Sequence, residues 1–476
     1  MEGSAGGFHF IKIDGLSRLI GVPEVALRFF ISLLSGLLFA VVYNIIVKSL
    51  PRTFKHLYFT ACGLLISYFC FGLDFLHMIV TLLVSYVSLV LFGGSMSHVI
   101  FSFLFQMGYL LTGYIMTASD SYDVKWTTPQ CIVCLRMIGL AWDVYDGQQS
   151  EEKLSADQKT TCLKRIPSFL EIFGYSYFFG GFLVGPQFAF RRYDAFINET
   201  LIDKEAAQKG PSRYYAGMKR LMIGIIVLYT YTMFDPIYRP DSLLSDDYRE
   251  QTFYTKTIQM TLVYLVQYSK YLIVWMISES ICMFCGISYN GVDSDGNVKW
   301  DGLRNFSSKL FFFGPTFQTM VDGFNTNTNK WVGRYVFRRL RFLGNKSASH
   351  IGTLAFLAIW HGFYVGYFIT FGLEFFVMIA ERQILDFCFK LFGTTFAALP
   401  TSIRIPLQAV LATWKCVGCA YCSMSFIFLR WRRIKIVYSA TYYWMFILLL
   451  TWYISAPLLR KIFLKSKKDE DKEKKQ

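Results

Sequence analysis

The segment from Phe324 to Tyr367 joins a polar, basic sequence to a strongly apolar one. It opens with FNTNTNKWVGRYVFRRLRFLGNK (Phe324–Lys346) and closes with the apolar run LAIWHGFYVGY (Leu357–Tyr367). An imidazole at membrane depth is costly to bury, and such a group is a functional candidate by default. His361 in the apolar run and Asn325 in the Asn/Thr run are therefore the first candidates for a site.

The composition around this stretch is that of a membrane protein. The chain has 476 residues, of which 54% are hydrophobic and only 17% are charged. Soluble domains average about 25% charged residues. Many apolar runs reach the roughly 20 residues that a helix needs to span hydrocarbon. Because backbone groups in lipid must be satisfied internally, and the runs do not alternate, we expect helices.

Charge and cysteine content exclude some classes of function. The net charge of +15 indicates basic loops beside an anionic leaflet, or a polyphosphorylated substrate, and no nucleic-acid motif accompanies it. Three groups of cysteines with C-x-x-C spacing leave zinc open as an alternative. In apolar sequence they are more typical of small hydrophobic residues on one helix face, so we expect no metal and no cofactor.

The chain is predicted to fold as an all-α polytopic membrane protein with roughly eleven spans. Residues 1–24 form a short segment on the membrane surface, residues 25–460 the transmembrane domain, and residues 461–476 a charged tail without fixed structure. The predicted spans are Val25–Val47, Leu57–Leu73, Phe75–Gly93, Val99–Met116, Leu221–Phe234, Val263–Cys285, Ile351–Ala380, Ile405–Leu429 and Val437–Leu459. Cys131–Trp142 is either a further span or a partly inserted helix, and Ile166–Phe188 is a broken or re-entrant one.

One apolar run is expected to be broken. IPSFLEIFGYSYFFGGFLVGPQF (Ile166–Phe188) is rich in glycine and contains Pro167 and Pro186. Irregular backbone at membrane depth is tolerated only where it is buried in protein or lines a water-filled cavity. Arg191–Arg220, which follows, is charged and is predicted to be a loop.

His361 is predicted to lie in the middle of a long apolar helix, next to Trp360. Imidazole titrates near neutral pH and removes protons from hydroxyl groups. Gly362 and Gly366 leave a smooth strip where another helix or a substrate chain can lie. The alternative is a histidine that bonds a carbonyl between helices.

Asn325 has two compatible interpretations. Its amide can donate to a developing oxyanion or hold a substrate, whereas runs of Asn and Thr also favour turns and helix caps. In the basic segment that follows, a helix would place Arg334, Arg338 and Arg341 on one face beside Trp331. That face either anchors the chain at the membrane surface or holds an anion such as the phosphates of coenzyme A.

Several separated motifs together carry a resemblance. WHGFYVGY (Trp360–Tyr367) resembles the W-H-G-x-x-x-G-Y motif of the membrane-bound O-acyltransferase family, and FNTNTNKW (Phe324–Trp331) the Asn motif of its lysophospholipid branch. Further similar stretches are YDVKWTTPQC (Tyr122–Cys131), FLVGPQF (Phe182–Phe188), SESICMFCGISYNG (Ser278–Gly291, with Ser280 and Ser288 where the pattern has Gly), Trp300-Asp301, WVGRYVFRRLRFLGNK (Trp331–Lys346) and ERQ (Glu381–Gln383).

The resemblance implies a many-helix fold around an internal chamber in the endoplasmic reticulum membrane. It implies acyl transfer from acyl-CoA to the sn-2 hydroxyl of a lysophospholipid, with polyunsaturated donors, as in phospholipid remodelling (the Lands cycle). The expected acceptors are lysophosphatidylcholine, lysophosphatidylethanolamine and lysophosphatidylserine. His361 and Asn325 would be catalytic. The expected binding residues are Glu279, Cys282, Asn290, Trp300, Asp301, Trp331, Arg334, Arg338, Arg341 and Trp360.

Alternatives remain at this stage. Glu279, Asn290 and Trp300-Asp301 either shape a substrate channel or bond neighbouring helices, and Cys282 is a rival covalent acyl carrier. A lipid transporter or scramblase would also line its pathway with buried polar groups, and other family branches acylate other hydroxyl acceptors. The last residues, Lys472–Gln476, resemble a dilysine retrieval signal, which predicts a cytosolic C-terminus.

Overall fold

The computed structural model describes residues 11–118, 124–203, 205, 208 and 211–464, and the backbone of residues 465–473. From the N-terminus its helices are α1 Asp14–Ile20, α2 Glu24–Ile45, α3 Arg52–Phe71, α4 Leu76–Phe92, α5 Met96–Met116, α6 Thr127–Gly147, α7 Ala156–Lys159, α8 Phe169–Ser176, α9 Phe190–Ile197 and α10 Arg213–Phe234. They continue with α11 Asp246–Glu250, α12 Phe253–Cys285, α13 Ser308–Phe313, α14 Phe317–Gly323, α15 Thr326–Val332, α16 Lys346–His361, α17 Val365–Phe392, α18 Thr401–Phe428, α19 Trp431–Ala440 and α20 Trp444–Glu473.

The all-α prediction is confirmed. Among the described residues, β-structure is limited to the isolated bridges Val292–Val298 and Phe306–Phe324. The stretches that are long and apolar enough to cross a membrane are Glu24–Ile45, Arg52–Phe92, Met96–Met116, Phe253–Cys285, Thr401–Phe428 and Trp444–Leu464. Shorter or more polar helices, among them α6, α10 and α17, occupy most of the remaining predicted spans.

The chain divides into two compact units. The first comprises Met1–Leu228, Tyr271–Asn305 and Asn325–Thr353, and the second comprises Tyr229–Lys270, Phe306–Phe324 and Leu354–Gln476. In the first unit α3 packs on α2 and α8, and α6 packs on α4 and α5. In the second, α17 packs on α18 and α20, and α13 packs on α14 and α18.

The centre of the first unit is α6, which is buried almost all round. Arg136 on this helix is 1% exposed. Its guanidinium donates to the carbonyl oxygens of Tyr175, Ser176 and Gly181 at 2.7, 2.9 and 2.8 Å. It also lies 4.9 Å from the ring centroid of Phe188. A buried charge therefore supplies the hydrogen bonds that the broken segment lacks.

That segment confirms the predicted break. After α8 ends at Ser176, the chain runs without regular helix through the Gly-rich stretch to α9. A Cβ on Gly181 would lie 2.8 Å from the Arg136 guanidinium, and one on Gly185 would lie 2.7 Å from the Gly181 Cα. Only residues without a side chain allow this close approach, so the broken backbone lies inside protein as expected.

Four details differ from the predictions. The Arg191–Arg220 stretch contains α9, whose aromatic residues Phe190, Tyr193 and Phe196 pack inward, and the start of α10. The predicted span Ile351–Ala380 is split into α16 and α17. The predicted span Val437–Leu459 is divided at Tyr442 and Tyr443, which have positive φ angles of 56° and 50°.

The fourth difference concerns the tail. Helix α20 continues to Glu473, because Lys and Glu propagate a helix well. Residues 474–476 of the predicted retrieval signal lie outside the described residues. So do Tyr122 and Asp123 of the YDVKW motif. At the other end, α1 has no buried residue and exposes Leu19 and Ile20, a shape that suits the predicted surface segment.

Candidate active site

His361 is the last residue of α16, and not a mid-helix residue as predicted. The chain leaves the helix at Gly362, whose φ of 126° is a conformation that favours glycine. Helix α17 begins three residues later, at Val365. The imidazole therefore sits at a helix end beside a sharp turn, where its ring faces other side chains of the second unit.

Aromatic rings surround the imidazole. The ring centroids of Trp360, Tyr367, Phe371 and Phe426 lie 4.6, 5.3, 5.6 and 5.2 Å from that of His361. Trp360 and Tyr367 are themselves buried. His361 itself and the rings of Phe371 and Phe426 are partly buried, so the rings limit the access of water to the imidazole, and electrostatic interactions are stronger where water is excluded.

Gly366 fixes the start of α17 against the end of α18. Its N–H donates to the Leu429 carbonyl oxygen at 3.0 Å. A Cβ at this position would lie 2.1 Å from the Ser425 carbonyl oxygen. Glycine therefore allows the backbone contact that holds the turn after His361.

Asn325 precedes α15 and has a left-handed backbone, with φ 50° and ψ 44°. Asparagine tolerates this conformation better than most residues. Its side chain makes no capping hydrogen bond to α15, and only its backbone oxygen accepts from the Asn329 N–H, at 3.0 Å. The amide group is thus not occupied as a helix cap.

Thr326 and Asn327, which follow Asn325, donate hydrogen bonds to Arg304 and Asn305. The Asn327 Nδ2 donates to the Asn305 Oδ1 at 2.7 Å and to the Arg304 oxygen at 3.1 Å. The Thr326 hydroxyl also donates to the Arg304 oxygen. Asn325 thus stands at the N-cap position of α15 without the side-chain cap that was expected, and the side chains of Thr326 and Asn327 hydrogen-bond Arg304 and Asn305.

Glu279 is fully buried on α12. Its carboxylate accepts from the Asn305 N–H at 2.7 Å and from the Arg220 Nε at 2.5 Å. Of the two interpretations of Glu279, the geometry favours a hydrogen bond between chain segments. Cys282, one turn further, is also fully buried and its thiol donates to the Gly180 oxygen at 3.2 Å.

The basic segment is not a continuous α-helix. After α15 it forms a π-helical turn over Gly333–Phe337 and a 3₁₀ turn over Arg339–Leu343. The predicted common face holds for Arg334 and Arg338, which both reach Asp157, but not for Arg341, because the segment leaves the α-helical repeat before it.

Arg334 and Arg338 converge on one carboxylate. Both donate to Asp157, Arg334 through Nε at 2.8 Å and Nη2 at 2.6 Å. The hydrogen bond from Arg334 lowers the pKa of Asp157 below its usual value. Arg339 pairs with Asp146, whereas Arg341 is exposed.

A basic cavity of about 460 Å³ lies beside α15 in the first unit. Four cationic side chains and three aromatic ones contribute to its wall. The residues that matter for recognition are Arg191, Arg192, Lys330, Arg334, Trp331 and Tyr335. Such a set favours a polyanionic group with a planar part.

The remaining predicted residues lie near this cavity or a second one. Asn290 lines the basic cavity, and its Nδ2 donates to the Asp301 Oδ1 at 2.8 Å. Trp300 donates to the Pro211 oxygen at 2.9 Å and lines a separate cavity of about 380 Å³. The structure thus groups Asn290, Trp331 and Arg334 around one space.

The sequence did not indicate several residues that hold the Asn325 segment and the basic segment or that line the basic cavity. Asn305 and Asn327 bond the Asn325 segment, Asp157 binds the basic segment, and Arg191 and Arg192 line the cavity. A signal existed for the last two, which form an Arg pair beside the apolar run that ends at Phe188. His361 and Trp360 belong to the second unit, and the other predicted site residues belong to the first.

Comparison with known proteins places the chain in a family. Residues 111–426 match the model of the MBOAT, membrane-bound O-acyltransferase family. Lysophospholipid acyltransferase 5 of Bos taurus is 35% identical over 471 residues, which cover 97% of this chain and 95% of that protein. The Drosophila melanogaster protein of the same name is 37% identical over 452 residues, with 93% and 89% covered.

A more distant relative shows the same extent of similarity. Membrane-bound glycerophospholipid O-acyltransferase 2 of Mus musculus is 26% identical over 454 residues, 90% of this chain and 84% of that protein. The family match covers more than half of the chain, and it agrees with the membrane-spanning helices described above. This multi-pass membrane protein therefore belongs to the membrane-bound O-acyltransferase family.

Proposed function

We propose that the protein transfers an acyl group from acyl-CoA to the sn-2 hydroxyl of a lysophospholipid. The observation that carries the proposal is the similarity, over nearly the whole chain, to proteins named lysophospholipid acyltransferase. Lysophosphatidylcholine is the first acceptor, with lysophosphatidylethanolamine and lysophosphatidylserine as further ones. The stretches Tyr122–Cys131, Phe182–Phe188, Trp331–Lys346 and Glu381–Gln383 also resemble lysophosphatidylcholine acyltransferase 3. This resemblance favours polyunsaturated donors and a role in phospholipid remodelling.

In this proposal His361 is the general base. Its imidazole takes the proton of the sn-2 hydroxyl, and the resulting alkoxide oxygen forms a bond to the thioester carbonyl carbon. The carbon–sulfur bond then breaks, and coenzyme A leaves as the thiolate. Asn325 donates its amide N–H to the oxyanion or orients the hydroxyl.

The surroundings of His361 support this role. Water in the site would hydrolyse the thioester, so a dry environment has chemical value. The four aromatic rings around the imidazole pack apolar surface against it and limit the access of water to it.

The basic cavity supports a coenzyme A donor. The phosphate groups of coenzyme A are polyanionic and its adenine ring is planar. Arg191, Arg192, Lys330 and Arg334 supply positive charge, while Trp331 offers a ring for stacking. We assign this cavity to the donor, together with Asn290. The remaining predicted arginines, Arg338 and Arg341, lie in the same basic segment.

The proposed location is the endoplasmic reticulum membrane, with the C-terminus in the cytosol. The retrieval-type ending Lys472–Gln476 supports this proposal. Microscopy of the full chain and of a variant with Lys472→Ser and Lys474→Ser tests it. Loss of reticular staining in the variant alone is the expected result.

Release of coenzyme A tests the proposed function. Purified protein in mixed micelles is incubated with arachidonoyl-CoA and a panel of acceptors: lysophospholipids, a sterol, diacylglycerol and a hydroxyl peptide. Free thiol and labelled product are then measured. We expect equal amounts of thiol and diacyl phospholipid with lysophosphatidylcholine. Lipid movement across vesicles without thiol release would indicate a transporter, and thiol release with another acceptor would indicate a different branch.

A further inference from the structure

A chain of hydrogen bonds leads from the membrane helices of the first unit to Asn325. It begins at Arg220 on α10, whose Nε donates to the Glu279 Oε2 at 2.5 Å. The other oxygen of this carboxylate accepts from the Asn305 N–H at 2.7 Å. Glu279 and Asn305 are 0% and 1% exposed, so water does not compete for these bonds.

Asn305 in turn accepts hydrogen bonds from the two residues that follow Asn325. Its carbonyl oxygen accepts from the Thr326 N–H at 3.1 Å. Its side-chain Oδ1 accepts from Asn327 twice, from Nδ2 at 2.7 Å and from the backbone N–H at 3.3 Å. Three bonds from one buried residue therefore hold the two positions that follow Asn325.

The backbone of Asn325 needs such support. Its left-handed φ of 50° is less favourable than a helical or extended conformation for any residue with a Cβ. Strained backbone persists where surrounding contacts determine it. The hydrogen bonds at Thr326 and Asn327 hold the chain in place on the C-terminal side of Asn325.

We propose that Asn305, held by Glu279, is a positioning residue that sets the orientation of the Asn325 amide. The inference rests on the proposed catalytic role of Asn325. Asn305 itself touches no reacting atom in this scheme. Its contribution is to keep Thr326 and Asn327 fixed, and with them the direction of the preceding side chain.

The simpler interpretation is that this network only stabilises the fold. Buried polar groups that lose their partners cost stability wherever they lie. The two interpretations differ in what they predict for catalysis. Misplacement of a catalytic group by about 1 Å lowers the rate of the bound complex by about 10²-fold, whereas stability loss lowers the amount of folded enzyme.

The first experiment compares Asn305→Leu and Asn305→Asp with wild type. Leucine keeps the approximate shape but removes the Oδ1 acceptor, whereas aspartate keeps an acceptor. Both variants remove the Asn-x-Ser sequence at residues 305–307, so glycosylation cannot separate them. The control is Asn297→Leu, the same change at an exposed residue of the first unit.

We expect kcat per folded enzyme to fall by about 10²-fold in Asn305→Leu with KM for both substrates unchanged. Asn305→Asp is expected to recover most of this loss, and Asn297→Leu to show none. Should Asn305→Leu not fold, Asn327→Ser cuts the same contact from its other end. A wild-type kcat in a folded Asn305→Leu or Asn327→Ser variant would overturn the inference.

A double-mutant cycle separates this inference from the proposed function. If Asn305 acts through Asn325, Asn305→Leu adds little further loss in an Asn325→Ala background, because the group it positions is gone. Full additivity of the two losses would overturn the positioning role while leaving Asn325 catalytic. Wild-type activity of Asn325→Ala would overturn the catalytic role of Asn325, and the inference with it.

Discussion

Arg334 and Asp157 lie 177 residues apart in the chain, yet the Arg334 Nη2 and the Asp157 Oδ1 are 2.6 Å apart. Arg338 donates to the same carboxylate. One acidic residue on the short helix α7 therefore holds two arginines of the basic segment, where the chain departs from α-helical geometry. The pairing couples the wall of the basic cavity to the loop between α6 and α8.

This pairing predicts a pH dependence of stability. The folded-state pKa of Asp157 is lowered by the Arg334 hydrogen bond, so its stabilising contribution is present above the unfolded value of about 3.9. It is lost as pH falls through the lower folded value. Because the pair is partly exposed, we expect Asp157→Asn to cost only about 1 kcal/mol at neutral pH.

Thermal unfolding in detergent, from pH 7 to pH 3, measures this contribution. The difference between wild type and Asp157→Asn should be constant down to about pH 4 and shrink below it. A difference that grew on acidification would contradict the assigned sign. Asp293→Asn is the matched control. The pKa of Asp293 is also lowered, but by hydrogen bonds within its own loop and not by an arginine, so this variant measures the effect of removing such a carboxylate without breaking the Arg334 pair.

Replacing His361 with alanine should abolish acyl transfer. Loss of a general base costs about 10²–10⁴-fold in rate, and the surrounding rings should keep the site folded. Initial rates with arachidonoyl-CoA and lysophosphatidylcholine measure the effect. His350→Ala, whose ring packs on Phe337 in the first unit, is the matched control. Near-normal turnover of His361→Ala would exclude the imidazole as the base.

Two substitutions at Asn325 separate its amide from its backbone. Alanine removes the amide and keeps the cost of a left-handed conformation, whereas glycine removes the amide and relieves that cost. If the amide acts in catalysis, both variants lose about 10²–10³-fold in kcat, as for other oxyanion donors. Recovery of activity in Asn325→Gly would show instead that the turn alone matters.

Gly366 and Gly372 on α17 form a matched pair. A Cβ at Gly366 would meet the Ser425 oxygen at 2.1 Å, whereas one at Gly372 has no heavy atom within 4 Å. Gly366→Ala should lower the free energy of unfolding by about 1–3 kcal/mol, because the added methyl group overpacks the contact. It should also lower turnover, because the turn after His361 must shift. Gly372→Ala should unfold at or above the wild-type temperature. Equal melting temperatures of the two variants would contradict the packing argument.

Cys282 tests the rival route through an acyl-enzyme. Its thiol is fully buried and donates a hydrogen bond to the Gly180 oxygen. If transfer is direct, Cys282→Ala retains turnover, and no hydroxylamine-sensitive acyl group appears on the protein during reaction with labelled acyl-CoA. Loss of turnover together with loss of such a group in Cys282→Ala would favour the covalent route.

Much of the fold was predictable because its signals are local. The apolar runs that became α2, α5, α12 and α18 are continuous in sequence, and a helix in lipid satisfies its own backbone. The break after α8 was predictable for the same reason, since glycine and proline mark it. Arg136 is visible as a charge inside an apolar run, but its three hydrogen bonds to that break join residues 39 to 45 positions apart and have no local signal.

The segment Phe324–Tyr367 shows the same difference between local signals and tertiary contacts. Sequence by itself identified His361, Asn325 and the arginines as unusual groups in an apolar chain, because their chemistry is visible residue by residue. Only the tertiary structure decided that α16 ends at His361, that the basic segment abandons the α-helical repeat for Asp157, and that Asn305 holds the Asn325 turn. Those features depend on partners 21 to 181 residues distant, or on a single positive φ, and periodicity reports neither.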